Sequence, residues 1–72
     1  RCIYTGKALK QSKKGNKYIL VHFLKEDGQT FTVVSNVDVP ESIKQLDLVN
    51  VEFEIIFTNK NVYVRVNKIW KD

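Results

Sequence analysis

Five stretches of this chain place apolar residues at strand spacing, and polar, turn-forming residues separate them. Residues 2–9 are rich in Ile, Tyr and Thr, with Gly6 inside the run; a glycine within a strand marks a bulge or sharp bend. Residues 10–16, KQSKKGN, are polar and end in a Gly-Asn turn signal. Residues 17–25, KYILVHFLK, form a second strand that is apolar on both faces over most of its length. Glu26-Asp27-Gly28-Gln29 is a hairpin connection, and a β-branched and aromatic third strand follows over 30–34 or 30–35. Residues 49–57 alternate with period two, setting Val49, Val51, Phe53, Ile55 and Phe57 on one side and Asn50, Glu52, Glu54 and Ile56 on the other. After Thr58-Asn59-Lys60-Asn61, residues 62–70 make a fifth strand, with Val62, Val64 and Val66 inward and Tyr63, Arg65 and Asn67 outward. Only residues 40–46, PESIKQL, look helical. Pro40 suits a first turn, and Ile43 and Leu46 would share a face.

A three-strand meander, a short crossover and a terminal hairpin predict an all-β fold, a five-stranded OB-type Greek-key barrel with at most a short helical turn near residues 40–46. An SH3-like barrel is the nearest alternative, and periodicity does not separate the two. The 72 residues fit one small domain, and a chain of this length buries only about 60% of the surface its unfolded form exposes. With 43% hydrophobic residues and one Pro the composition is globular rather than disordered.

Charge changes the picture. Residues 1–25 hold seven of the twelve basic side chains and none of the eight acidic ones. Such segregation creates a local positive field that attracts a polyanion; the plainer reading is a solvated lysine-rich loop. Enzyme chemistry has little support. His22 stands alone in an apolar strand, and Ser12, Ser35 and Ser42 have no base nearby in sequence. Glu52 and Glu54 fit the wet face of a strand, and no glycine-rich phosphate loop opens a helix. The single Cys2 excludes an internal disulfide or a thiolate metal cluster, so no metal or other cofactor is expected. No apolar run reaches the roughly 18 residues of a membrane span, and the expectation is a cytoplasmic protein without a membrane partner or a small-molecule substrate.

The basic turn and its neighbouring aromatics carry the information. Lys10, Lys13, Lys14 and Lys17 surround the turn before the second strand, Tyr18 follows at once, and Leu20 and His22 share its face. Single-strand binders need cations that track phosphates and flat side chains on which bases stack. Phe31, Tyr63 and Tyr4 are further stacking candidates, and Arg65 shares the outward face of Tyr63. Phe23, Phe53, Phe57 and Trp70 fit core packing or a terminal anchor.

The segment Ser12-Lys13-Lys14-Gly15-Asn16-Lys17-Tyr18 resembles the basic, glycine-containing turn ending in Tyr of filamentous-phage gene V-type single-stranded DNA-binding proteins. The order of the later elements is similar too: an acidic turn with Gly28, a β-branched strand, a V-x-V-x-F strand and a terminal hairpin. The resemblance implies an OB-fold homodimer that binds single strands without sequence preference during replication. It implies a phosphate contact for Lys13, base stacking for Tyr18, an apolar contact for Leu20, and an aromatic position near Phe31. Asn59-Lys60-Asn61 would form the tip of the last hairpin, which lacks the aromatic that members often carry, and Lys17 stands where they commonly have Pro. Independently, the last two strands hold more apolar surface than one small barrel covers, so pairing through that hairpin is expected.

Three readings follow. The first is a sequence-tolerant single-stranded DNA-binding protein of a phage, plasmid or mobile element. The second is an RNA-binding OB module. The third is a protein-interaction barrel with no nucleic-acid role.

Overall fold

A computed structural model of the chain describes residues 1–71. Five strands, β1 (Cys2–Gln11), β2 (Lys17–Leu24), β3 (Thr30–Ser35), β4 (Leu48–Phe57) and β5 (Val62–Trp70), close into a barrel in the order β1-β2-β3-β5-β4. All contacts are antiparallel except β3 with β5, which run parallel over Val34–Arg65 and Ser35–Val66. The chain is thus all-β, a five-stranded barrel of OB type. Closure removes most of the free edges that would otherwise invite pairing with another chain.

Alternation along the strands builds the interior. Tyr4, Val21, Phe23, Val49, Val66 and Ile69 are buried, and Cys2, Ile19, Phe31, Val33 and Val51 pack against them. The β1 ladder shifts between Tyr4 and Gly6, so Thr5 is a bulged residue where Gly6 signalled a bend. A second shift on β5 leaves Asn67 unpaired between Val66 and Lys68, which brings both Val66 and Ile69 inward despite their spacing of three. Gly15 and Gly28, with φ of 89° and 88°, close the two meander turns in a conformation that a side chain resists.

Residues 40–46 are not helical. Two successive turns, closed by the Ile43 N–H on the Pro40 carbonyl and the Asp47 N–H on the Lys44 carbonyl, put Ile43 inside and leave Leu46 70% exposed at φ 75°. Ile43 and Val39 plug one end of the barrel, and the Leu46 N–H donates to the Tyr4 carbonyl at 2.7 Å. The crossover runs from β3 to β4, and the Tyr4 N–H, donating to the Asp47 carbonyl at 2.9 Å, ties its end to β1 as well.

Three packing expectations need correction. Tyr4 is a core residue, 6% exposed, and offers no stacking surface. Phe53, Ile55 and Phe57 do share one side of β4, as do Val62 and Val64 of β5, but all five are exposed. The hairpin outruns the barrel: β3 pairs with β5 only at Val34 and Ser35, so beyond the Phe31 ring, 6.3 Å from Phe53, no strand of the ladder continues alongside the outer halves of β4 and β5. Trp70 is likewise 39% exposed, with the Lys68 ammonium 5.0 Å from its ring centroid.

Candidate nucleic-acid interface

Because β2 alternates, burying Val21 and Phe23 and packing the half-buried Ile19 against them turns Tyr18, Leu20 and His22 to the outside of the barrel. Register then decides their neighbours. Lys10 pairs with Tyr18, and Ala8, Leu20, Val34, Arg65 and Glu54 form one continuous row across all five strands. In the next row, His22 Nδ1 lies 2.8 Å from Thr32 Oγ1.

At one end of this face the β1–β2 turn is tied by its own polar groups. The Gly15 N–H donates to the Ser12 carbonyl at 2.9 Å, the Asn16 N–H to Ser12 Oγ at 3.1 Å, and the Ser12 N–H to the Asn16 carbonyl at 2.8 Å. Gln11 Nε2 adds a bond to the Gly15 carbonyl at 3.2 Å. The turn therefore presents Lys13 and Lys14 from a braced base, both exposed.

Ser12, Asn16, Lys17, Tyr18, Leu20, Val34 and Arg65 line an open groove of about 620 Å³ between this turn and β5. Its floor is the half-buried Leu20 and Val34, with the Tyr18 ring beside them. Cations stand at both ends, the turn lysines at one and Arg65 at the other. Arg65 Nη1 donates to Asn36 Oδ1 at 3.4 Å, and Asn36 Nδ2 donates to Glu54 Oε2 at 3.1 Å. The groove can hold a flat ring against an apolar floor while cations meet anionic groups along its rim.

The structure brings together most of the residues the sequence singled out. Lys17, Tyr18, Leu20 and Arg65 line one groove, Lys10 pairs with Tyr18, and Lys13 and Lys14 cap the adjoining turn. Tyr63 lies two residues before Arg65 on the hairpin, half out of the barrel, and its hydroxyl accepts from Asn61 Nδ2 at 3.2 Å. Phe31 stands apart. It faces the interior, stacked on Phe23 at 5.2 Å between centroids and 6.3 Å from Phe53, on the opposite side of the sheet from Tyr18. Its alternation phase on β3 set this: Phe31 pairs with buried Phe23, so burying one buries the other.

Five groove or rim residues were not among the binding candidates: Ser12, Asn16, Val34, Asn36 and Glu54. Val34 and Glu54 acquire their role only through register. The Ser12–Gly15 turn, by contrast, was readable as a serine-capped turn.

The shifted titrations lie away from the groove. Asp38 is held below its usual range first by the Lys7 ammonium, 2.6 Å away, and then by the Val39 N–H; the same contact raises Lys7. Asp47 is lowered first by the Lys44 N–H and then by Lys71. Among the described residues there is no group of three or more His, Cys, Asp or Glu that could hold a metal ion. No family model, no curated protein and no solved structure matches the chain.

Proposed function

We propose that the protein binds single-stranded nucleic acid, DNA in the first place, without strong sequence demands and without catalysis. The observation that carries this reading is the groove itself: a half-buried Tyr18 on the outer face of the barrel beside an apolar floor, with Lys10, Lys13, Lys14 and Lys17 at one end and Arg65 at the other. OB-type barrels use the face of β2 and β3 and the flanking loops to bind oligonucleotides, and this groove lies on that face. Lysines displace counterions from phosphates, and the ring stacks on an unpaired base. A duplex hides those bases, so the stacking part of the grip is available only to single strands. Use in the replication or transfer of a phage, plasmid or other mobile element, in the cytoplasm, belongs to the same reading and rests on the gene V-type resemblance.

The protein also acts, on this reading, as a homodimer. Phe53, Ile55, Phe57, Val62 and Val64 are 40%, 57%, 77%, 61% and 46% exposed on one face of the projecting hairpin. Their exposed surface is on the order of 600 Å² per copy, at the upper end of the largest patch that monomers leave open. Two such faces bury on the order of 1,200 Å² together, the lower end of stable interfaces. A second copy covers the patch with the same chemistry in a two-fold arrangement.

The test is fluorescence anisotropy with labelled oligo(dT), the same length of duplex, and oligo(U), at low and high salt. Tight, salt-sensitive binding of oligo(dT) over duplex supports the reading. Absence of binding to any single strand at low salt removes it, and the barrel is then a protein-interaction module. Preference for oligo(U) over oligo(dT) transfers the function to RNA.

A further inference from the structure

A carboxylate on the rim of a polyanion-binding groove needs an account. Glu54 is the cross-strand partner of Arg65 and ends the row that runs through Leu20 and Val34. If its role were to neutralise Arg65, the two would pair directly. Instead Asn36 stands between them, taking Arg65 Nη1 on its carbonyl at 3.4 Å and giving its amide to Glu54 Oε2 at 3.1 Å. This bridge spends one guanidinium donor and one carboxylate oxygen. The other guanidinium donors and Glu54 Oε1 have no partner among the described residues, and both side chains are exposed. Next to a floor that accepts a flat ring, the cluster therefore offers donors from Arg65 and one charged acceptor from Glu54.

Given the polynucleotide reading above, on which this rests, we infer that the Arg65–Asn36–Glu54 cluster reads the edge of a base lying over Val34, favouring bases with an exocyclic amino group. The pyrimidines make the case cleanly because they fill the same space. Cytosine presents an N4 amino donor beside the N3 acceptor, so it meets Glu54 and Arg65 with complementary groups. Thymine reverses the order: in the same stacked pose its O4 carbonyl meets the Glu54 carboxylate and its N3–H meets the Arg65 guanidinium, so acceptor faces acceptor and donor faces donor. Purines carry amino groups as well, but their larger rings stack differently. The groove is thus tolerant of sequence in its stacking and phosphate contacts and selective at one nucleotide.

The experiment compares labelled oligo(dC) and oligo(dT) of one length, at mildly alkaline pH where cytosine is unprotonated. It uses the full chain and the Glu54→Gln variant, whose exposed position leaves the core untouched. The wild-type protein is expected to bind oligo(dC) about fivefold or more tighter than oligo(dT). Glutamine both donates and accepts, so Glu54→Gln brings the ratio close to one, chiefly by strengthening oligo(dT) binding. Equal wild-type affinities with salt-sensitive binding intact overturn this inference and leave the proposed function standing. A preference that survives Glu54→Gln, with both affinities moved alike, also overturns it, because Glu54 then only positions Arg65. Failure to bind either homopolymer at low salt overturns both this inference and the proposed function.

Discussion

Replacing Tyr18 with alanine separates stacking from charge. The ring lies on the outer face of β2, beside Lys10 and above the Leu20–Val34 floor, and takes no part in the core around Val21 and Phe23. Its hydroxyl has no hydrogen-bond partner among the described residues. Truncation therefore removes a stacking surface without opening a cavity or orphaning a polar group. A stacked base contributes about 1–3 kcal/mol, so Tyr18→Ala should weaken oligo(dT) binding by about 5- to 150-fold. Tyr18→Phe keeps the ring and should change affinity little. No cation is lost, so the dependence of log affinity on log salt should keep its slope, near −3 if about four phosphates are neutralised on a single strand. Lys13→Ala is the complement: it should flatten that slope by about 0.7 while leaving stacking intact. The assay is anisotropy over a salt series for the three variants, with circular dichroism to confirm the barrel. Unchanged affinity in Tyr18→Ala, or a flattened slope in that variant, would refute the division of labour.

Other parts of the structure give further expectations. Ile55→Glu or Phe57→Glu, on the exposed hairpin face, should convert a dimer to monomers in sedimentation velocity while circular dichroism shows the barrel still folded, with the melting temperature losing its dependence on protein concentration; a wild-type protein that is monomeric at high micromolar concentration would remove the dimer. Phe23 is fully buried and stacks on Phe31, so Phe23→Ala should cost about 3–5 kcal/mol in urea unfolding, a large part of the roughly 4–11 kcal/mol expected for a domain of this size. Asp38 and Asp47 are held below their ordinary value of 3.8, so what they add to stability is present above that value and lost as pH falls through their lower native values. Unfolding midpoints measured between neutral pH and strong acid should therefore drop below about pH 4, and the drop should shrink in an Asp38→Asn, Asp47→Asn double variant.

Much of this was legible along the chain, because local chemistry fixes strands and turns. The strand β5 falls on residues 62–70 as its alternation predicts, and Asp27-Gly28 and Gly15-Asn16 mark turns that need a positive φ. The basic turn and Tyr18 were legible for the same reason: Lys13, Lys14 and Tyr18 lie within six residues, and strand phase alone turns Tyr18 away from Ile19 and Val21. Residues 40–46 misled, since Ile43 and Leu46 match helical spacing while the crossover between β3 and β4 demands two turns and a left-handed Leu46.

What the chain could not show by itself is where an apolar strand leaves the barrel and which residues meet across it. Phe53, Ile55 and Phe57 alternate as faultlessly as Val49 and Val51, yet burial needs a facing layer, and the closure of β3 against β5 ends after two residue pairs. Phe31 and Tyr18 carry similar rings, but pairing with Phe23 sends one inward while pairing with Lys10 leaves the other out. Periodicity is a property of one strand and is written in its residues. Partnership across strands depends on register and barrel closure, so the row from Leu20 through Val34 and Arg65 to Glu54 exists only once the chain has folded.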